Sequence, residues 1–322
     1  MSTESWVVAG PQVIEVDDVR ALRVGLVGGR VDVVAHDDPD ARGARLEVHR
    51  VDGRPLEVTL SDGELRVGYS FTLGGWEGFV EKFRNFQDKD RADVHIAVPR
   101  GVLAKVATVS ADGLVAGLRQ DVSVSTVSGS VVVDDVRGRL STNSVSGEMV
   151  VRRHDGDLRF NTVSGELAAS GDLTLVQGNS VSGAVSLDVG AGTSSLTVTT
   201  VSGDLTVRIP DGAGLQVRAQ SVSGRLVIDG REHKGAGPGH RSVDLDAGEG
   251  GAFLSATTVT GHVTVLRAPV ADAVPDDAVP DDAVPGDAVP GDAVPSGATG
   301  DDAVRFGTPA DDVADAPVDG SR

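Results

Sequence analysis

The stretch Thr162-Val-Ser-Gly-Glu-Leu-Ala-Ala169 decides the fold, because its Val-Ser-Gly core recurs along the chain. The serines of the first four copies are 18 residues apart, and the next two intervals are 20 and 21 residues. A fixed period of this kind indicates a repeat architecture in which each repeat forms one small structural unit. The copies lie at 127–129, 145–147, 163–165, 181–183, 201–203 and 222–224, with a Val-Thr-Gly variant at 259–261.

Each repeat is predicted to contain two short strands. With the motif serine as position 0, positions +3 and +5 are apolar, as in Leu167 and Ala169, and the polar Glu166 occupies +2. This alternation is typical of a strand with one buried face. Before the motif the apolar positions are even-numbered, so the inward phase changes and the chain must turn within the motif.

The sequence therefore predicts an all-β protein with a single-stranded parallel β-solenoid (β-helix) over residues 106–267. It would have about nine coils of 18–21 residues. Ser110 marks a degenerate first copy, and Ser242 is expected to mark a missing copy between Ser223 and Thr260. Parallel stacking places equivalent residues of successive coils on one another, which explains why one residue type recurs at each position. An antiparallel meander is the alternative, and it explains that recurrence less well.

The glycine of each copy is predicted to form a corner between the two strands. Glycine permits the positive φ or the tight bend that a corner requires. The predicted structural corners are Gly129, Gly147, Gly165, Gly183, Gly203, Gly224 and Gly261.

Position −3 is uncharged and polar in all seven copies, and by parity it faces outward. Stacked amides and hydroxyls can stabilise a solenoid by hydrogen bonding along it. The same residues can also form a repetitive surface that binds a glycan, a partner sheet or ice. We call this candidate binding face the polar column, and it consists of Ser125, Asn143, Asn161, Asn179, Thr199, Gln220 and Thr257.

The segments on either side of the repeats have other patterns. Residues 1–105 show alternating apolar runs without a strict period, which predicts an N-terminal β region, and three phenylalanines at helical spacing predict a short helix near 77–88. The helix is expected to cap the open end of the sheets, and a docking surface for a partner or membrane is the alternative. Residues 268–322 repeat Asp-Ala-Val-Pro, which predicts a disordered acidic tail. The tail is expected to act as a solubilising spacer, and a peptide ligand for another domain is the alternative.

Composition argues against several classes of function. The formal net charge is −19 without a basic cluster, so nucleic acid is not an expected partner. The chain has no cysteine, which excludes disulfides and thiolate chemistry. No signal peptide or membrane span is recognised, so a cytoplasmic location is expected. No catalytic residue, metal site or cofactor is predicted, and the protein is not expected to be an enzyme.

The Thr/Ser-Val-Ser-Gly-x-Val/Leu-x-Val coils, preceded by Val98-Pro99-Arg100-Gly101, resemble a bacterial β-strand-repeat family. Its members are known as "putative adhesins" of unknown function, and their domains are called toastrack domains. The resemblance implies a β-helix, an adhesin-like interaction or scaffold protein, a protein or glycan partner, and a cell-envelope or envelope-stress context. A carbohydrate-active β-helix enzyme and an ice- or glycan-binding repeat face are the alternative functions.

Overall fold

The computed structural model describes residues 3–38, 42–69, 89–233, 241–247 and 251–268, all within one compact unit, Met1–Asp272. This part of the chain is β-structure with turns and contains no helix. The helix predicted near 77–88 lies outside the described residues, as does the predicted tail beyond Ala268.

The strands pair into two ladders, which we call the first and the second sheet, and the long strands β14 and β15 take part in both. In pairing order the first sheet contains β1 (Thr3–Val8), β6 (Leu56–Ser61), β7 (Glu64–Gly68), β3 (Ala21–Leu26), β9 (Leu103–Thr108), β11 (Val122–Thr126), β13 (Arg137–Ser144), β14 (Met149–Thr162), β15 (Leu167–Ser180), β17 (Ser195–Thr200), β23 (Ala252–Thr258), β19 (Leu215–Ser221) and β22 (Arg241–Ala247). The second sheet contains β2 (Gln12–Val16), β5 (Ala44–Asp52), β8 (Arg91–Val98), β4 (Gly28–Ala35), β10 (Asp112–Ala116), β12 (Val131–Asp134), β14, β15, β16 (Val185–Val189), β18 (Leu205–Pro210), β24 (Val263–Ala268), β20 (Leu226–Ile228) and β21 (Arg231–His233).

The repeats stack in parallel, as the sequence predicted. In the second sheet Val131 lies opposite Met149, Met149 opposite Leu167, and Leu167 opposite Val185, so position +3 of one coil stacks on position +3 of the next. The first sheet shows the same register, because Asn143 pairs with Asn161 and Asn161 with Asn179. These pairings exclude the antiparallel meander for this region.

The C-terminal end of the stack does not follow the order of the sequence. Thr257 lies between Thr199 and Gln220, so β23 and β24 are inserted between the coil at 195–210 and the coil at 215–228. The expectation that Ser242 marks a missing coil is wrong, because β22 runs antiparallel to β19 with Ser242 opposite Gln220. The physical reason is local: Val243 follows Ser242 where a corner would need glycine, so the segment continues as a straight edge strand.

The N-terminal region joins the same stack. Ala21 of β3 pairs in parallel with Glu64 on one side and with Leu103 on the other, and β4 is similarly placed between β8 and β10. The sheets therefore continue across residue 105, and the β-structure predicted for this region is confirmed. Beyond this coil, β6 and β1 extend the first sheet and β5 and β2 extend the second with antiparallel pairings.

The apolar columns predicted from the repeat form the core between the two sheets. Leu140, Leu196 and Leu254 at position −6 and Val131 and Val207 after the motif are all fully buried. Burying a side chain of this size contributes roughly 1.5–3 kcal/mol, so each coil adds several such increments to its neighbours. The core therefore fixes which side of each strand faces the interior, and hence which side chains reach the surface.

Candidate interaction face

A buried hydroxyl at position −2 closes the motif corner. Thr162 Oγ1 donates to the carbonyl oxygen of Gly165 at 2.8 Å, and Ser144 Oγ donates to that of Gly147 at 2.7 Å. In other coils the glycine N–H donates back to the hydroxyl, as Gly203 does to Thr200 Oγ1 at 3.0 Å. The sequence marked position −2 only as inward. Its restriction to serine and threonine was the available signal for this bond.

The corner glycines are required by close approach of neighbouring coils and not by a left-handed backbone. Among the described residues, none of the seven has a positive φ. Each is needed because backbone approaches backbone: a methyl group at Gly165 would lie 2.2 Å from the carbonyl oxygen of Gly147, and one at Gly183 would lie 1.9 Å from that of Gly165. The positive φ values lie elsewhere, for example at Gly117 and Asp135. Of the two alternatives that the sequence allowed for the motif glycines, a positive φ or a tight bend, the positive φ does not occur.

The motif serines are also part of the corner. Ser146 Oγ donates to the carbonyl oxygen of Val127 in the neighbouring coil at 2.9 Å, and Ser202 Oγ donates to that of Val181 at 3.2 Å. The hydroxyl proton is thereby held by the backbone. This arrangement agrees with a geometric role and leaves these serines poorly placed to act as nucleophiles.

The polar column lies on the outer side of the first sheet, but its exposure changes along the stack. Ser125 is only 8% exposed and Asn143 is half-buried. The remaining five residues are exposed, so the outward direction predicted from parity holds for them. In the order of the stack they are Asn161, Asn179, Thr199, Thr257 and Gln220.

Two halves of the polar column differ in their hydrogen bonds. Asn161 Nδ2 donates to Asn143 Oδ1 at 3.0 Å, and Asn179 Nδ2 donates to Asn161 Oδ1 at 3.1 Å, which forms an amide ladder along the axis. Within the described part of the chain, Thr199, Thr257 and Gln220 take no part in such a ladder. The first half thus stabilises the stack, and the second half has side-chain donors and acceptors that remain open to solvent.

A second exposed column runs beside the polar column, and the sequence analysis did not single it out. It consists of the motif valines at position −1, which are 43–47% exposed in five consecutive coils. In the N-terminal half of the stack the corresponding Val109 is only 8% exposed. We call the five exposed valines the valine ridge: in stack order, Val163, Val181, Val201, Val259 and Val222.

The outer side of the second sheet is charged. Arg208 reaches Asp188 of the neighbouring coil at 3.3 Å, and Arg153 forms an ion pair with Asp134. The hydrogen bond from Arg119 to Asp135, 2.7 Å long, holds the pKa of that carboxyl below its usual range. A shallow groove of about 300 Å³ on this side is lined by aliphatic, hydroxyl and charged side chains and has no aromatic ring among them.

Three further features concern metal ligands, membrane spans and an open cleft. Among the described residues, no group of three or more potential ligands is placed to hold a metal ion, and no helix is long and apolar enough to cross a membrane. An open cleft of about 990 Å³ at the N-terminal end is lined by residues of both charges, including Glu4, Glu15, Arg20 and Arg42.

Comparison with known proteins gives a family. The family model described as "Toastrack DUF4097" matches residues 32–266. The chain is similar to a crystal structure of a "putative adhesin" from Bacteroides fragilis, with 14% identity, a TM-score of 0.42, and coverage of 80% of this chain and 97% of that one. It is also similar to a "putative cell adhesion protein" from Clostridium sporogenes, with 11% identity, a TM-score of 0.27, and coverage of 80% and 100%. Among curated proteins, none matches the chain.

Proposed function

The chain belongs to the toastrack family, and we propose that it is an adhesin-like, non-enzymatic interaction scaffold that binds through the exposed half of its first sheet. One observation carries the proposal: five consecutive coils present an exposed, uncharged polar column beside an exposed valine ridge. Contiguous apolar surface next to open polar groups is typical of interaction sites, whereas isolated exposed apolar residues are common everywhere.

The geometry of the face supports recognition of an extended partner, either a protein surface or a glycan. Parallel strands place equivalent residues about 4.8 Å apart, so the open hydroxyls of Thr199 and Thr257 and the amide of Gln220 form a regular row. A partner with its own repeat can engage several coils at once. Each weak contact then adds to the others through effective concentration.

A scaffold role is preferred to a carbohydrate-active enzyme for a chemical reason. The serines that recur most often donate their hydroxyl protons to backbone carbonyls, as Ser202 does to Val181. Several charged groups of the second sheet form ion pairs between coils, as Arg208 does with Asp188 and Arg153 with Asp134. An envelope setting, including an envelope-stress role, belongs to the same proposal and is supported by the family resemblance.

Glycan-array binding with matched charge variants tests the proposal. The purified chain is applied to an array of bacterial surface polysaccharides, and Thr199→Lys with Thr257→Lys is compared with Glu148→Lys with Ser186→Lys on the outer side of the second sheet. All four side chains are exposed, so both pairs are expected to keep the melting temperature.

We expect capture by the original chain, loss of capture in the threonine pair, and retention in the control pair on the second sheet. Equal loss in both pairs would contradict the placement of the face. Release of new reducing ends from the captured glycan would favour the enzyme, and thermal hysteresis of the solution without glycan capture would favour ice binding.

A further inference from the structure

We propose that the valine ridge is a self-association surface, on which a second copy of this chain packs antiparallel about a two-fold axis at Val201. The inference rests on the proposed function, because the ridge borders the same face, and it names the first partner of that face. Val201 is the middle member of the ridge, with Val181 and Val163 on one side and Val259 and Val222 on the other.

The chemistry of the ridge favours an apolar protein surface over a sugar. Each of the five valines is nearly half exposed, between 43% and 47%, at the regular spacing of a parallel sheet. The hydroxyls that flank the ridge are already used: Ser182 Oγ donates to Val163 O at 3.2 Å and Ser202 Oγ donates to Val181 O at 3.2 Å. A partner therefore contacts methyl groups here. Removing water from them is favourable and breaks few hydrogen bonds.

A second copy supplies a surface of matching shape. A two-fold interface brings the same patch of both copies together, so that residue i contacts residue j and residue j contacts residue i. With the axis perpendicular to the ridge at Val201, Val181 meets Val259 of the other copy and Val163 meets Val222. The regular spacing lets all five positions match at once.

Charges beside the ridge select the antiparallel arrangement. Position +2 carries Glu166 in the coil of Val163 and Arg225 in the coil of Val222, and both side chains are exposed. Rotation about the axis at Val201 places Glu166 of each copy opposite Arg225 of the other. This gives one carboxylate–guanidinium ion pair at each end of the interface. Asp204 is at +2 in the coil on the axis, so it faces Asp204 of the other copy, and this like-charge contact lowers the affinity. Its Oδ1 accepts a hydrogen bond from the backbone N–H of His262 at 2.8 Å.

Two arginines farther from the ridge weaken the contact, but they do not prevent the antiparallel arrangement. Position −5 carries Arg159 and Arg218. The same rotation places Arg159 of each copy opposite Arg218 of the other, which is a contact between like charges. Each already has a partner in its own chain: Arg159 Nη2 donates to Gln177 Oε1 at 2.8 Å, and Arg218 lies 3.4 Å from Asp244. They lie two outward positions beyond the ridge, at the rim, where charges are hydrated and contribute little.

The available area sets the strength of the dimer. Five coils about 4.8 Å apart and three outward positions about 6.6 Å apart give a face of roughly 400–450 Å² per copy. A stable complex usually buries about 800 Å² per partner, and weaker contacts bury less than about 1,200 Å² in total. The two copies together bury roughly 900 Å², so the dimer is expected to be weak, with a dissociation constant above about 1 μM.

Single-cysteine variants test the geometry directly, because the chain has no cysteine of its own. Cα atoms must approach within about 7 Å for a disulfide to form. Under mild oxidation, V201C should give a covalent dimer on a non-reducing gel. V163C alone should give little, whereas a mixture of V163C with V222C should give the linked dimer. Equally efficient crosslinking of V163C with itself would overturn the antiparallel arrangement.

Sedimentation provides the second measurement. The original chain should sediment with a concentration-dependent mass, and V181K with V201K should raise the dissociation constant by at least 10-fold. Val13→Lys is the matched control, because Val13 is 53% exposed on β2, away from the ridge, and should leave the dissociation constant unchanged.

The two proposals fail in different ways. A monomer at all concentrations, together with no crosslinked V201C, would overturn self-association, and glycan capture that still depends on Thr199 and Thr257 would leave the proposed function standing. Glycan capture lost in V181K with V201K while the chain stays monomeric would assign the ridge to the glycan and overturn the second-copy proposal. A dimer of the original chain that forms while no glycan is bound would remove the proposed function alone.

Discussion

Replacing Gly165 by alanine tests the structural reason for the repeat motif. The new Cβ would lie 2.2 Å from the carbonyl oxygen of Gly147 and 2.7 Å from Ser144 Oγ. Because real Cβ contacts essentially never fall below 3.0 Å, the two coils must separate by roughly 0.8 Å at this corner. No torsion of a flexible side chain can relieve the contact with Gly147, since the atom that is met belongs to the backbone.

The size of the effect follows from the hydrogen bonds at the corner. Ser164 N–H donates to Val145 O at 2.7 Å, and Met149 N–H donates to Glu166 O at 2.9 Å. A separation of about 0.8 Å takes both beyond hydrogen-bonding distance, and each contributes about 0.5–1.5 kcal/mol. With the strain of the displaced coils included, Gly165→Ala should cost about 2–4 kcal/mol.

Urea unfolding with two control glycines separates close approach from backbone conformation. Gly212 has a φ of +81° and Gly192 has an ordinary φ, and a methyl group at either position would have no neighbour within 4 Å. Gly212→Ala should cost about 1–2 kcal/mol through its left-handed backbone, and Gly192→Ala should be neutral or slightly stabilising. The reasoning is refuted if Gly165→Ala costs no more than Gly192→Ala, or if Gly212→Ala is the most damaging of the three.

Four further predictions address the corner, the two columns and one ion pair. Thr162→Val keeps the shape of the side chain but removes the donor to Gly165 O, so it should lower the free energy of unfolding by about 1–2 kcal/mol, whereas Thr197→Val on the exposed side should have little effect in the same urea titration. Asn161→Lys interrupts the amide ladder and should lower the melting temperature more than Thr199→Lys, which interrupts none; equal shifts would show that the ladder contributes nothing. Asp135→Asn tolerates the positive φ of 48° but loses the ion pair with Arg119. Because folding lowers the pKa of Asp135, its contribution is present above the unfolded value of about 4 and is lost as the pH falls through the folded value, so the variant should be less stable at pH 7 and nearly equal to the original below about pH 3. This carboxylate is 42% exposed, so the difference at pH 7 should stay within about 1 kcal/mol, as measured by urea unfolding at both pH values. Val181→Thr with Val201→Thr should change the free energy of unfolding by less than about 1 kcal/mol while weakening self-association in sedimentation, and an unchanged dimer would show that the methyl groups are not the contact.

The stacking of the repeats could be predicted because it depends on local pattern. Period-two alternation at Leu167 and Ala169 marks the inward side of a strand, and recurrence of one residue type at one position indicates parallel contact between copies. Both signals lie within a single repeat and its neighbour. They did not require knowledge of the order in which distant segments meet.

The order of the coils at the two ends could not be predicted in this way. Residues 252–268 have the same local pattern as the other repeats, so the sequence does not show that they pair with Thr199 on one side and Gln220 on the other. Similarly, Val27-Gly28 replaces the full motif, although Ser110 N–H donates to Val27 O at 2.7 Å as later serines do to their valines. The pairing of distant strands depends on contacts throughout the stack. A comparison of single repeats gives no information about those contacts.

The exposure of the polar column could be predicted only in part. The alternation along a strand gives the direction of a side chain, but not how much of it neighbouring residues cover. Asn161 and Ser125 occupy equivalent positions, yet one is exposed and the other is 8% exposed. The valines at −1 were missed for a related reason: their apolar side chains suggest core, and only measured exposure shows that they lie outside.

The corner itself explains why position −1 faces solvent, but it does not explain why valine occupies it. The residue at −2 must turn inward so that its hydroxyl reaches the glycine carbonyl, as Thr162 reaches Gly165, and alternation then places Val163 outside. A β-branched residue suits the end of a strand. Threonine is β-branched, has nearly the same shape as valine, and has a hydroxyl that can form hydrogen bonds with water. Every motif copy nevertheless carries valine at this position, including five that are nearly half exposed. Backbone geometry alone would not distinguish the two residues, and the apolar contact proposed for the ridge would account for the choice in the five exposed copies.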